Sequence, residues 1–221
     1  MEAVAAGIAH EVRNPLNAVQ INLRILEQEL GELVPDRGHH VYAVLTKIAN
    51  EVASLDNFVS EFLRFARPPR LKIETVQVKA LLADLATFLG PQFARKDVSL
   101  GLALDGGPAF VAADSFQLKH AVLNLLLNAL QATPPGGAIT VATAQEGARL
   151  AITVTDSGEG IPPDKLERVF DVFFTMREGG TGLGLPIARR IVEEHGGTLE
   201  LASRAGAGTT ARILLPLRKR A

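Results

Sequence analysis

Apolar residues recur at Ile8, Val12, Leu16, Val19, Leu23, Leu26, Leu30 and Leu33, spaced 4, 4, 3, 4, 3, 4 and 3. This is a heptad seam, and it predicts a long amphipathic helix. Pro, Asp and Gly punctuate Pro35 to His40, and Ile48, Val52, Leu55, Val59, Phe62 and Ala66 then resume at 4, 3, 4, 3 and 4. Two helices of about 30 residues joined by a short turn predict an antiparallel hairpin, and two helices alone leave part of each apolar stripe in water. The expected remedy is a homodimer in which two hairpins form a four-helix bundle. Arg67-Pro68-Pro69-Arg70 ends the second helix, because proline lacks a donor and disfavours helix in the residue before it.

Past this boundary the period changes. Alternating runs at Val98–Leu104, Ile139–Ala144, Leu150–Thr155, Thr198–Ala202 and Thr209–Leu215 predict strands. Helical patterns cover Val78–Ala94, Ser115–Ala132 and Leu185–His195. Strand pairs joined by Gly-containing turns, with helices between, predict a mixed sheet with helices on one face. The fold class is therefore α+β, with a helical domain at 1–67 and a sheet-containing domain at 71–221.

Composition narrows the chemistry. The 221 residues are 47% apolar, 21% charged and 5% aromatic, which excludes disorder as the main state. Lys and Arg number 23 against 24 Asp and Glu, a net charge of −1, so no overall field draws nucleic acid or an anionic membrane. With no cysteine there is no disulfide, thiolate zinc site or thiol catalysis, in keeping with a cytoplasmic location. No apolar run exceeds five residues, against about 20 for a bilayer span.

Four places could carry chemistry. His10 lies two residues from both Ile8 and Val12, so it projects away from the seam, with Glu11 beside it and Asn14 one turn on. A neutral imidazole whose Nδ1 proton is held by Glu11 presents a free Nε2 lone pair as a nucleophile; the alternative is a solvated His-Glu pair. Pro15 bends the helix next to it. From Ala121 to Leu130 the only polar residues are Asn124 and Asn128, four apart on one stripe. Buried amides need partners, either backbone groups or, through a carbonyl oxygen, Mg²⁺.

Asp156 follows Leu150, Ile152 and Val154 at period two, so its carboxylate aims at the apolar side of the sheet, where an adenine amino group is a suitable donor. Gly158 and Gly160 would let backbone pass close to a flat ring, unless the segment is an ordinary Asp-Ser-Gly turn. Finally, Phe170-Asp171-Val172-Phe173-Phe174-Thr175, Arg177 and Gly179-Gly180-Thr181-Gly182-Leu183-Gly184 lead into a helix. Backbone N–H groups at such a helix start suit phosphate oxygens, although a flexible glycine loop reads the same way. The spacing is neither the Rossmann pattern nor a Walker A loop.

Taken in order, His-Glu-x-x-Asn-Pro-Leu, Asn-Leu-x-x-Asn-Ala, Asp-x-Gly-x-Gly, the Phe-rich segment and Gly-Thr-Gly-Leu-Gly-Leu resemble the H, N, G1, F and G2 boxes of a sensor histidine kinase of two-component signalling. The Asn-Ala-Leu-Gln-Ala and Phe-Phe-Thr-x-Arg wording is similar to the nitrogen-regulation type. One departure is Gln131, where many members carry Lys, which shifts phosphate neutralisation onto Arg177.

The resemblance implies a dimerisation and phosphotransfer domain at 1–67 and, at 71–221, an α/β sandwich ATPase domain of the kind shared by Hsp90, gyrase, MutL and histidine kinases. It implies that His10 takes the γ-phosphoryl group of ATP with Glu11 as hydrogen-bonding base, then passes it to an aspartate of a response regulator. Asn14 would orient water if the chain works mostly as a phosphatase of that regulator. Asn124 and Asn128 would sit at the phosphates, with Asn128 holding Mg²⁺. The remaining nucleotide contacts would come from Asp156, Gly158, Gly160, Ile161, Thr175, Arg177, Gly180, Thr181, Gly182, Leu183 and Gly184. A dimeric scaffold whose nucleotide pocket only switches shape is the alternative from outside catalysis. Nine residues precede His10, so the expectation is a cytoplasmic catalytic core, without membrane contact of its own, whose sensor region lies upstream.

Overall fold

The computed structural model describes residues 19, 21–26, 28, 43–53, 55, 59, 70–106, 110–177 and 180–217. His10, Glu11, Asn14, Gly179, the turn at Pro35–His40 and the prolines at 68 and 69 lie outside them. The chain divides into two compact units, Met1–Pro69 and Arg70–Ala221.

In the first unit the described residues at 21–26 and 43–53 are helical. Leu23, Leu45 and Val52 bury against one another, with Ala49 packed at their edge. Their stripe is only partly covered. Val19 and Leu26, seven apart, and Ile48 and Leu55, also seven apart, are exposed at 41%, 46%, 42% and 48%. Among the described residues the heptad positions are thus split between ones that pack on one another and ones left open.

The second unit contains a five-stranded mixed sheet in the order β2-β4-β5-β7-β6 and a two-stranded sheet of β1 and β3. The strands are β1 (Glu74–Gln77), β2 (Ser99–Gly106), β3 (Phe110–Ala113), β4 (Ala138–Glu146), β5 (Arg149–Asp156), β6 (Thr198–Ser203) and β7 (Thr209–Pro216). The helices are α1 (Val78–Arg95), α2 (Ser115–Ala132) and α3 (Gly184–Glu194). In this unit every strand and helix expected from periodicity is present, with ends within two residues of expectation. The pair β1 and β3 was not expected: each has four residues, too few for alternation to register, and they pair antiparallel across the chain with Glu74 opposite Ala113.

Parity organises the sheet. In β5, Leu150, Ile152 and Val154 are buried and share a face with Asp156. The register continues that face sideways, pairing Val154 with Val141 and Ala211, and Ile152 with Thr143 and Ile213. Leu85 and Leu89 of α1 and Leu118, Val122 and Leu126 of α2 fill the core with these residues. Each such fully buried aliphatic side chain contributes about 1.5–3 kcal/mol.

The termini of α2 fix the surroundings of the site. At its start Asp114 is the N-cap, Oδ1 accepting from Gln117 N at 3.0 Å and Oδ2 accepting from Lys72 N at 2.8 Å. At its end the carbonyls are met from several directions. Lys96 Nζ donates to Leu130 O at 2.7 Å and Gln131 O at 2.9 Å, Thr133 Oγ1 donates to Ala129 O, and Glu159 N donates to Ala132 O. Among the described residues no helix is long and apolar enough to cross a membrane.

Candidate functional site

Asn124 and Asn128 interrupt the apolar stripe of α2, and α3 begins directly over them. A Cβ on Gly184 would lie 3.4 Å from Asn128 Nδ2, 3.7 Å from Asn128 Oδ1 and 3.8 Å from Asn124 Oδ1. Asn124 is 6% exposed and its Nδ2 has no hydrogen-bond partner among the described residues. An orphaned amide in the core costs about 1–3 kcal/mol, a deficit that a polar ligand removes. The two amides therefore face the first turn of a helix whose free N–H groups and dipole favour negative charge.

Asp156 ends β5 beside this cluster. Its Oδ1 accepts from Gly158 N at 2.8 Å and from Thr209 N at 3.1 Å, which ties the turn to the start of β7. No hydrogen bond among the described residues reaches Oδ2. One oxygen is structural and the other is available. Burial pushes the Asp156 carboxyl above its ordinary value, against the Gly158 and Thr209 amides and the Arg177 guanidinium, which pull it down.

The turn itself is held close to α2. A Cβ on Gly158 would lie 2.6 Å from the Ala132 carbonyl oxygen, so only glycine fits there. Gly160 passes against the backbone of Arg204, and Ile161 N donates to Ser203 Oγ at 2.8 Å, seating the end of the turn on β6.

The segment from Phe170 forms the other wall. Thr175 Oγ1 accepts from Arg177 N at 3.1 Å, and Gly180 lies against the Thr175 side chain. Thr181 Oγ1 accepts from Leu183 N at 3.4 Å, and Leu183 is fully buried, so it supports the segment from behind and presents no surface to a ligand. Phe173 and Gly182 have φ of +69° and +65°, and Phe173 N donates to Gly182 O at 3.1 Å. A left-handed conformation is costly for a bulky residue, and such strain is characteristic of ligand-binding segments. Two cation–π contacts brace this wall, Arg168 over Phe174 at 4.4 Å and Arg189 of α3 over Phe170 at 5.0 Å.

Arg177 bridges the two walls. Nη1 donates to Gln131 Oε1 at 3.0 Å, both Nη atoms lie 3.5 Å from the Asn128 carbonyl, and Nη2 lies 3.7 Å from Glu159 Oε1. One cluster thus brings together Asn124, Asn128, Gly184, Arg177 and, through the Asp156–Gly160 turn, Glu159. Sequence reasoning alone does not reach Glu159 or Lys96. Neither has a local signal, since their partners lie 18 and 34 or more residues away.

Two family descriptions match this chain. Residues 1–70 match the His Kinase A (phospho-acceptor) domain, and residues 113–219 match the histidine kinase-, DNA gyrase B- and HSP90-like ATPase. The chain carries the catalytic core of a histidine kinase. Among similar proteins, the sensor histidine kinase ZraS of Escherichia coli is 35% identical over 214 residues, 97% of this chain and 45% of ZraS. Sporulation kinase C of Bacillus subtilis is 35% identical over 218 residues, 97% of this chain and 49% of that kinase.

The chain spans about half the length of these curated relatives. Of solved structures, full-length ShkA in complex with AMPPNP resembles this histidine kinase core with a TM-score of 0.85 at 26% identity, covering 100% of this chain and 47% of ShkA. The histidine kinase ThkA in complex with the response regulator protein TrrA resembles it with a TM-score of 0.72 at 25% identity, covering 98% of this chain and 61% of ThkA.

Proposed function

We propose that this histidine kinase core binds Mg-ATP in unit Arg70–Ala221, phosphorylates itself on His10 and passes the phosphoryl group to an aspartate of a response regulator. The observation that carries the reading is the buried, unpartnered Asn124 Nδ2 beside Asn128, under the first turn of α3 and beside Arg177. That donor set suits a polyphosphate: amides and helix N–H groups for oxygens, and one guanidinium for charge. Asn128 Oδ1 would hold Mg²⁺, which neutralises phosphate charge when bound. Asp156 Oδ2 would accept from the adenine amino group, while Gly158, Gly160 and Ile161 line the ring. Thr175, Arg177, Gly180, Thr181, Gly182 and Gly184 would enclose the phosphates.

The kinase domain boundaries would be 1–67 and 71–221. At His10, Nε2 would form the new N–P bond as the bond from the γ-phosphorus to its bridging oxygen breaks and ADP leaves; Glu11 would hold the Nδ1 proton. Asn14, four residues after His10, would serve the regulator's dephosphorylation rather than this step. Neither a phosphatase acting alone nor a nucleotide-switched scaffold is favoured by the relatives, which are named as kinases.

The test is incorporation of label from γ-labelled ATP, followed by transfer to a purified receiver domain. His10→Gln is expected to abolish incorporation completely while leaving nucleotide affinity unchanged. Label retained in His10→Gln would remove His10 from the reaction.

The partner in dimerisation would be a second copy of the chain. Val19, Leu26, Ile48 and Leu55 present apolar surface that the single hairpin leaves open. Leu26→Glu with Leu55→Glu is expected to halve the mass seen by light scattering, because the exposed positions tolerate glutamate in a monomer but not in a bundle interface. A double variant that kept the wild-type mass would place the dimer contact elsewhere.

A further inference from the structure

The C-terminal end of α2 has no basic residue of its own in the last turn, yet two cations from elsewhere reach it. Lys96 takes the Leu130 and Gln131 carbonyls, and Arg177 reaches the Asn128 carbonyl and the Gln131 side chain. A helix C-terminus attracts cations, so both placements are electrostatically sound. They differ in the donors left over: two of the three Lys96 donors go to carbonyls. Arg177 has five donors in a rigid fork, and a neutral amide and one carbonyl orient it without neutralising it.

The one anion in ion-pair contact with Arg177 among the described residues is Glu159, at 3.7 Å. The side chains are 32% and 63% exposed, so the pair is at the solvent edge and held loosely. The backbone of Glu159 is not loose: its N–H donates to Ala132 O and its carbonyl accepts from Gly206 N at 2.7 Å. A fixed backbone therefore holds a solvent-exposed carboxylate against the cation assigned above to phosphate binding.

We propose that Glu159 is a resident anion of the phosphate subsite, occupying the outer edge of Arg177 until a nucleotide polyphosphate replaces it. In the same arrangement Gln131 is a positioning residue that keeps the guanidinium on α2 during the exchange. The inference rests on the reading of this cluster as the nucleotide site, and adds that the site carries its own competitor. Arg177 alternates between an internal carboxylate and an external phosphate without ever being left unpaired. Glu159 thereby weights recognition toward ligands with enough negative charge to displace it, separating a nucleoside triphosphate from less charged nucleotides.

The experiment is calorimetric titration of the full chain with Mg-ATP for wild type, Glu159→Gln, Arg177→Gln and the double variant, and the same four-way comparison with Gln131→Leu in place of Glu159→Gln. Glu159→Gln is expected to tighten binding about two- to five-fold when Arg177 is present, the range for release of an exposed ion pair, and to change it little in the Arg177→Gln background. Gln131→Leu is expected to weaken binding only when Arg177 is present. Unfolding midpoints verify that the exposed substitutions leave the fold intact.

Equal tightening by Glu159→Gln in both backgrounds would mean simple repulsion between carboxylate and nucleotide and would overturn the proposal, as would no change with Arg177 present. Equal weakening by Gln131→Leu in both backgrounds would overturn the positioning role. A wild-type chain that binds no Mg-ATP would instead overturn the nucleotide-site reading, and this inference with it.

Discussion

Asp156→Asn should weaken nucleotide binding while keeping or raising stability at neutral pH. The two oxygens of Asp156 differ: Oδ1 holds the Gly158 and Thr209 amides, and Oδ2 takes no hydrogen bond among the described residues and is the one proposed above to meet the nucleotide. An asparagine keeps Oδ1 and replaces Oδ2 with an NH₂ group, which sets donor against donor where an adenine amino group would bind. Loss of a hydrogen bond to a charged acceptor is worth about 1.5–3 kcal/mol, so Mg-ATP affinity should fall roughly 10- to 100-fold. Stability should move the other way. Folding raises the Asp156 pKa, chiefly by burial, so the folded state favours the protonated acid.

The contribution of that group is full below the unfolded value, near about 3.9, and is lost as pH rises through the higher folded value. The asparagine variant escapes that loss. In thermal unfolding without nucleotide it should match or exceed wild type at pH 7, with the difference closing as the pH falls below the carboxylate range. Asp156→Ala, which removes Oδ1 as well, should unfold at a lower temperature than either. If the asparagine variant bound Mg-ATP as wild type does, Asp156 would be only the anchor of its turn.

That carboxylate was legible in the sequence because alternation is local. Leu150, Ile152, Val154 and Asp156 declare one face of a strand without reference to anything else, and the buried face of β5 agrees. The same holds for Asn124 and Asn128, whose four-residue spacing places them on one stripe of a helix. What could not be read is what closes over them. Glu159 meets Arg177, Lys96 meets the end of α2, and β1 meets β3 only once the chain has folded. Each of those residues has an ordinary sequence environment. Composition gives a Lys after a helix or a Glu in a turn no more weight than any solvated charge, and the partner that gives it a role is set by topology.

Asp114 is the clearest case of a residue whose weight comes from such distant partners, and Asp114→Ala should be the most destabilising single substitution outside the apolar core. Its carboxylate caps α2 through Gln117 N and holds Lys72 N, two residues after the second unit begins. Its own N–H donates to His195 Nε2 at 2.9 Å. Because Nε2 accepts, the proton is on Nδ1, which donates to Ile191 O at 2.8 Å. One node thus joins the start of α2, the end of α3 and the strand region after the interdomain boundary.

Losing the cap costs about 1–2 kcal/mol and stranding the Lys72 amide about 1 more, so a loss on the order of 3 kcal/mol is expected in urea unfolding at pH 7. Burial alone would raise the Asp114 pKa, but the hydrogen bonds from the Gln117 and Lys72 amides outweigh it, and the carboxyl lies below its ordinary value.

The sign is therefore opposite to that of Asp156. The stabilisation is present above the unfolded value of about 3.9 and is lost as pH falls through the lower folded value, so the gap between wild type and Asp114→Ala should narrow in acid. His195→Leu, which keeps the carboxylate but removes the acceptor for the buried Asp114 N–H, should cost about 1–3 kcal/mol on the same assay. The two substitutions should combine to less than the sum of their separate costs, since they break one network. Strict additivity would mean that cap and clasp are independent, and that the far end of α3 is held by its packing rather than by this node.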